Sequence, residues 1–98
     1  MTRDEATSEL ALRADALRAR GAEAAFLFGS TARNEARSGS DIDVFIDIAP
    51  GRKFSLIDLA GMYSFLVSEL GVEVDLTTRS SLHPKLKAQI ESEAVRIF

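Results

Sequence analysis

The chain has no cysteine, so neither a disulfide nor a thiolate metal site is available to it. It has no excess of positive charge either. Its 12 Lys and Arg stand against 15 Asp and Glu, for a net charge of -3 and a pI near 5.1. A protein that grips a nucleic-acid backbone is basic, so no direct nucleic-acid binding is expected. No apolar run approaches the ~20 residues of a membrane span. The polar start Met1-Thr2-Arg3-Asp4-Glu5 has no signal-peptide core. These absences lead to the expectation of a cytoplasmic protein with no membrane contact. Repeats, linkers and low-complexity stretches are also missing, and 98 residues predict one domain spanning 1–98.

What is present suits a folded chain. Hydrophobic residues make up 46% and charged residues 28%, with mean hydropathy near zero, which is too apolar for disorder. A chain of this size buries roughly 60–65% of its unfolded surface. That supports one core and leaves no room for a separate acceptor domain, so a large substrate must dock on the surface or arrive with a partner.

The pattern alternates between helical and extended periods. Thr2 to Arg20 reads as a helix, with Thr2 and Glu5 at capping-box spacing, Leu10, Ala14 and Leu17 at helical intervals, and Gly21 as a stop. Ala24 to Phe28 is a short buried strand, Ser30 to Ala36 a short helix, and Arg37 to Ser40 a turn. Ile42 to Ile48 is the clearest strand: Ile42, Val44, Ile46 and Ile48 share one face, and Asp41, Asp43, Phe45 and Asp47 the other. Ser55 to Leu70 is an amphipathic helix ended by Gly71, and Val72 to Thr77 is a third strand. Leu82 to Val95 reads as a last helix with Pro84 in its first turn. This order predicts a small α/β (α+β) fold in which helices pack on a short mixed sheet.

The chemistry concentrates in Gly29-Ser30 and, ten residues on, Asp41-Ile42-Asp43. Residues i and i+2 of a strand point the same way, so Asp41 and Asp43 present their carboxylates together. Two unit charges about 4 Å apart repel by about 4 kcal/mol at an effective dielectric of 20. A divalent cation removes that conflict, and Mg²⁺ typically takes one or two carboxylates plus substrate phosphates. Asp75, on another strand, is the natural third carboxylate, and three such groups can hold two metals. Gly29 and Ser30 lie where a strand meets a helix, a place for close backbone approach to an anion. Arg33 opposes the dipole of that helix, a penalty that a bound polyphosphate reverses.

Gly29-Ser30-Thr31-Ala32-Arg33 followed by Ser40-Asp41-Ile42-Asp43-Val44 resembles the signature of the DNA polymerase β-like nucleotidyltransferase superfamily. The small size and the Val72-Glu73-Val74-Asp75 strand narrow the resemblance to the minimal nucleotidyltransferases (MNT), antitoxins paired with HEPN ribonuclease toxins. It runs from about Phe26 through Asp75. It implies phosphate binding at Gly29, Ser30 and Arg33, and metal ligation and catalysis at Asp41, Asp43 and Asp75. It further implies transfer of AMP from ATP, with Mg²⁺, to a tyrosine hydroxyl of the toxin in a hetero-oligomer. Two alternatives stand beside it: an antitoxin that neutralises by binding alone, and a transferase acting on a small molecule.

Other residues carry plainer expectations. Asp47, Glu73 and Asp58 read as surface residues, and His83 as a capping or surface residue. Tyr63 and the Phe residues read as core or interface. Arg13, Arg18 and Arg20 read as a solvated face or part of a partner surface.

Overall fold

The alternation along Ile42–Ile48 is realised as the strand that organises the molecule. The structure, a computed structural model, describes residues 1–37, 39 and 41–98. Helices α1 (Arg3–Leu12) and α2 (Ala14–Ala19) lead into strand β1 (Ala22–Phe28) and the one-turn helix α3 (Gly29–Ala32). Strand β2 (Ile42–Ile48), helix α4 (Leu56–Leu70) and strand β3 (Val74–Thr78) follow. A 3₁₀ turn (Arg79–Ser81), helix α5 (Lys87–Glu93) and the two-residue strand β4 (Val95–Arg96) complete the chain. The sheet order is β3-β2-β1-β4. β2 runs antiparallel to β1 and parallel to β3, so the sheet is mixed.

The two faces of β2 do different work. Ile42, Val44 and Ile46 join Ala25 and Leu27 of β1, Leu10 of α1, Leu17 of α2, and Met62 and Leu66 of α4 in one core. Each such side chain contributes roughly 1.5–3 kcal/mol on burial. The opposite face carries Asp43, Phe45 and Asp47, with Phe26 and Phe28 alongside on β1. Phe26 stacks on Phe45 with centroids 4.8 Å apart and planes 10° from parallel. That face carries the candidate site residue Asp43.

Several boundaries depart from the sequence expectation. The first helix breaks at Arg13, whose guanidinium takes the Glu9 carbonyl at 2.8 Å and the Glu9 carboxylate at 2.7 Å. The Arg13 N–H turns instead to the Leu10 carbonyl. α3 stops at Ala32, and Asn34 has a left-handed φ of 59°. The turn expected over Arg37 to Ser40 includes Ser38 and Ser40, which lie outside the described residues. The last helix starts at Lys87, not Leu82, because Pro84 disfavours helical backbone at His83. His83 Nδ1 instead accepts the Lys85 N–H at 3.2 Å, a capping role. Val95 and Arg96 leave the helix to pair with Leu27 and Phe26 as β4, a strand too short to have a period.

The Ser55–Leu70 expectation holds closely. Ser55 and Asp58 form a reciprocal capping box, and Gly71 closes α4 at φ 69°. Asp58 is therefore exposed but has a partner, which the surface reading lacked.

Candidate active site

Register places the carboxylates. In the parallel β2–β3 ladder Asp43 lies opposite Asp75, and in the β1–β2 ladder it lies opposite Phe28, the residue before Gly29. This register sets the carboxyl groups of Asp43 and Asp75 close enough to act on each other. Burial pushes the Asp43 pKa up to about 6, helped by the charges of Asp75 and then Asp41, while Arg33 acts the other way. Gly29 sits against Asp43 with φ +72°, and a Cβ there would run into the Asp43 carboxylate. Glycine is thus demanded twice, by its backbone angle and by its neighbour.

Asp41 lies one residue before β2 and is exposed. Among the described residues, no three His, Cys, Asp or Glu side chains close around a metal-sized space. The structure therefore joins Asp43 to Asp75 and leaves Asp41 within electrostatic range of Asp43. This donor set fits Mg²⁺, a hard ion that is usually held by one or two carboxylates and completed by phosphates and water.

Ser30 is the second residue of α3, and the N-cap is Phe28 with no side-chain cap bond. Ser30 therefore lies inside the helix, and its side chain makes no cap bond. Its carbonyl accepts the Glu35 N–H at 2.8 Å, tying off the loop. Arg33 follows α3, and its N–H donates to the Gly29 carbonyl at 3.2 Å. Its side chain is exposed yet paired: Nε donates to Glu35 and Nη1 to Glu93 of α5, each at 3.2 Å. These carboxylates raise the Arg33 pKa above its ordinary value.

Arg79 and Glu91 escaped the sequence reading. Arg79 donates to both Asp47 oxygens at 2.7 and 3.0 Å and to Glu91 at 2.5 Å. Its guanidinium lies over the rings of Phe26 at 4.7 Å and Phe45 at 5.0 Å. Asp47 is thus a partly buried ion-pair residue rather than a free surface one. Glu73 likewise has a partner, accepting the Tyr63 hydroxyl proton, and Tyr63 lies close enough to Asp41 to feel its charge. No sequence spacing signals these contacts, since Arg79 and Asp47 lie 32 residues apart. Of the first-helix arginines, Arg18 stacks on Phe98 at 4.7 Å, Arg20 on Phe65 at 4.6 Å, and Arg13 is half-buried.

The model of the nucleotidyltransferase domain matches residues 12–97. The chain belongs to the minimal nucleotidyltransferase family. This nucleotidyltransferase is 44% identical over 78 residues to a candidate protein adenylyltransferase of Methanocaldococcus jannaschii, covering 80% of this chain and 82% of that one. It is 32% identical over 98 residues to the protein adenylyltransferase MntA of Thermococcus cleftensis, covering 99% and 97%. A solved structure described as a minimal nucleotidyltransferase superposes with a TM-score of 0.81 at 33% identity, over 97% of this chain and 95% of that one. A chain from the complex of a tri-AMPylated Shewanella oneidensis HEPN toxin with its MNT antitoxin shares the fold. Its TM-score is 0.69 at 19% identity, over 99% of this nucleotidyltransferase and 72% of that chain.

Proposed function

We propose that this nucleotidyltransferase is the Mg²⁺-dependent antitoxin of a HEPN toxin pair, transferring AMP from ATP to a tyrosine hydroxyl of the toxin. The observation that carries this reading is Asp43 seated against Gly29 with Asp75 opposite it on β3. The charges of Asp75 and Asp41 beside the Asp43 carboxyl make an anionic cluster that a divalent cation would relieve. Asp41, Asp43 and Asp75 are the residues that would hold Mg²⁺, which when bound offsets phosphate charge and stabilises the leaving pyrophosphate. Gly29 keeps the backbone open to the triphosphate, Ser30 contacts phosphate oxygens, and Arg33 supplies a cation beside them. Asp75 is exposed, so it can meet an incoming hydroxyl and orient it or take its proton. The acceptor arrives with a partner in a hetero-oligomer. The relatives named as protein adenylyltransferases, and the AMPylated HEPN toxin bound to a protein of the same fold, support this reading.

The test is incubation with labelled ATP, Mg²⁺ and the HEPN partner, followed by intact-mass analysis and mapping of the modified residue. AMP units are expected on a partner tyrosine, and none with the Asp41→Ala/Asp43→Ala protein. An unmodified partner in a tight complex would instead establish neutralisation by binding.

A further inference from the structure

α5 projects two carboxylates, at positions 91 and 93, toward arginines on two other elements. Glu91 holds Arg79 at 2.5 Å, and Arg79 in turn chelates Asp47 at 2.7 and 3.0 Å. Asp47 lies four residues beyond Asp43 on the same strand. The Phe26 and Phe45 rings beneath the Arg79 guanidinium fix its plane. α5 is therefore anchored to the strand that carries Asp43. Two residues past Glu91, Glu93 reaches Arg33 at 3.2 Å, across 60 residues of sequence. Arg33 is bonded through its own N–H to Gly29, the residue against which Asp43 rests. A continuous path thus runs from Asp47 through Arg79, Glu91 and Glu93 to Arg33 and back to the Asp43 carboxylate.

A long cation on the surface ordinarily loses much of its binding energy to side-chain disorder. Arg33 has five N–H donors in a flat fork. The bonds to Glu35 and Glu93 use one on Nε and one on Nη1, which orients the fork while leaving donors for an anion. A guanidinium held in this way binds phosphate with less ordering cost than a free one.

We propose that Glu93 is a positioning residue for nucleotide binding, holding Arg33 in the orientation that meets the triphosphate beside Asp43. The proposal rests on the nucleotide-transfer reading above, and it makes the C-terminal helix part of the nucleotide site. Glu93 touches neither nucleotide nor acceptor; it acts through Arg33.

The test compares wild type, Glu93→Ala, Glu93→Gln, Arg33→Ala and the Arg33→Ala/Glu93→Ala double variant for Mg²⁺-ATP affinity by calorimetry and for AMP transfer to the HEPN partner. Glu93→Ala is expected to raise KM for ATP and the calorimetric Kd several-fold with kcat little changed. Glu93→Gln, which keeps an acceptor oxygen, restores most of the affinity. In the Arg33→Ala background the Glu93→Ala change has no added effect. Unchanged or tighter ATP binding by Glu93→Ala would overturn the proposal and make Glu93 a bystander or a competitor for Arg33. Additive losses in the double variant would also overturn it. If wild type itself neither binds ATP nor modifies the partner, the transfer reading fails instead.

Discussion

Gly29 and Asp43 are complementary at van der Waals range: the space a Cβ would fill at Gly29 is occupied by the Asp43 carboxylate. The turn after β1 and the central acid of β2 therefore constrain each other. The contact explains why the turn residue is glycine, and it also explains part of the burial that raises the Asp43 pKa.

Replacing Gly29 tests that contact. Gly29→Ala puts a side chain at φ +72°, which costs about 1–2 kcal/mol for an L-residue in that region. It also displaces the Asp43 carboxylate. Chemical denaturation should show at least that loss, and nucleotide binding should fall further than stability alone explains. Wild-type affinity in the variant would show that Asp43 does not need its present seat.

Asp43 makes metal-free stability pH-dependent in a defined direction. Its folded pKa, about 6, lies above the ordinary value of 3.8, so the native state retains a proton that the unfolded chain has released. Stability therefore falls as pH rises through the window from about 4 to about 6 and levels off above it. In Asp43→Asn that decline should flatten. The measurement is denaturant midpoint against pH in the presence of a chelator; an equal decline in the variant would assign the effect to another group.

Mg²⁺ with ATP should reverse the carboxylate crowding. Binding to the native state alone stabilises it by about 2.7 kcal/mol at a hundredfold excess over Kd. Thermal unfolding should shift upward with Mg²⁺-ATP in wild type and not in Asp43→Asn or Asp75→Asn. Equal shifts in all three proteins would place the ligand elsewhere.

Arg79 ties β2, α5 and the aromatic face together through one guanidinium. Arg79→Lys keeps the charge but loses the two-pronged grip on Asp47 and the flat stack on Phe26 and Phe45. A loss of about 1–2 kcal/mol is expected, since these groups are only partly buried. Denaturation midpoints of Arg79→Lys and Asp47→Asn, singly and together, should show strong coupling. Additive effects would mean the pair contributes little.

Much of the site was legible because its parts are close in sequence or share a strand. The period-two alternation along Ile42–Ile48 placed Asp43 opposite the core face, and the glycine before a helix marked the turn. The bounds and caps of α4 were equally readable, but its buried stripe is Met62, Leu66 and Leu70, while Leu56, at the start of the apolar stripe the sequence suggests, is exposed. The ends of α1 and α5 were not. The Arg13 side chain diverts a helix carbonyl in one case; in the other, Pro84 delays the start and β1 recruits Val95 and Arg96.

The sequence by itself determined which residues make up the candidate site, because glycine, carboxylates and a cation fall at spacings that local geometry converts directly into a turn and a strand face. Only the tertiary structure decided how they meet. The parallel register that sets Asp43 against Asp75 brings together strands with a helix between them. The bonds that join Arg33 to Glu93 and Asp47 to Arg79 span 60 and 32 residues. Such contacts depend on the whole core being packed, and no local period carries them.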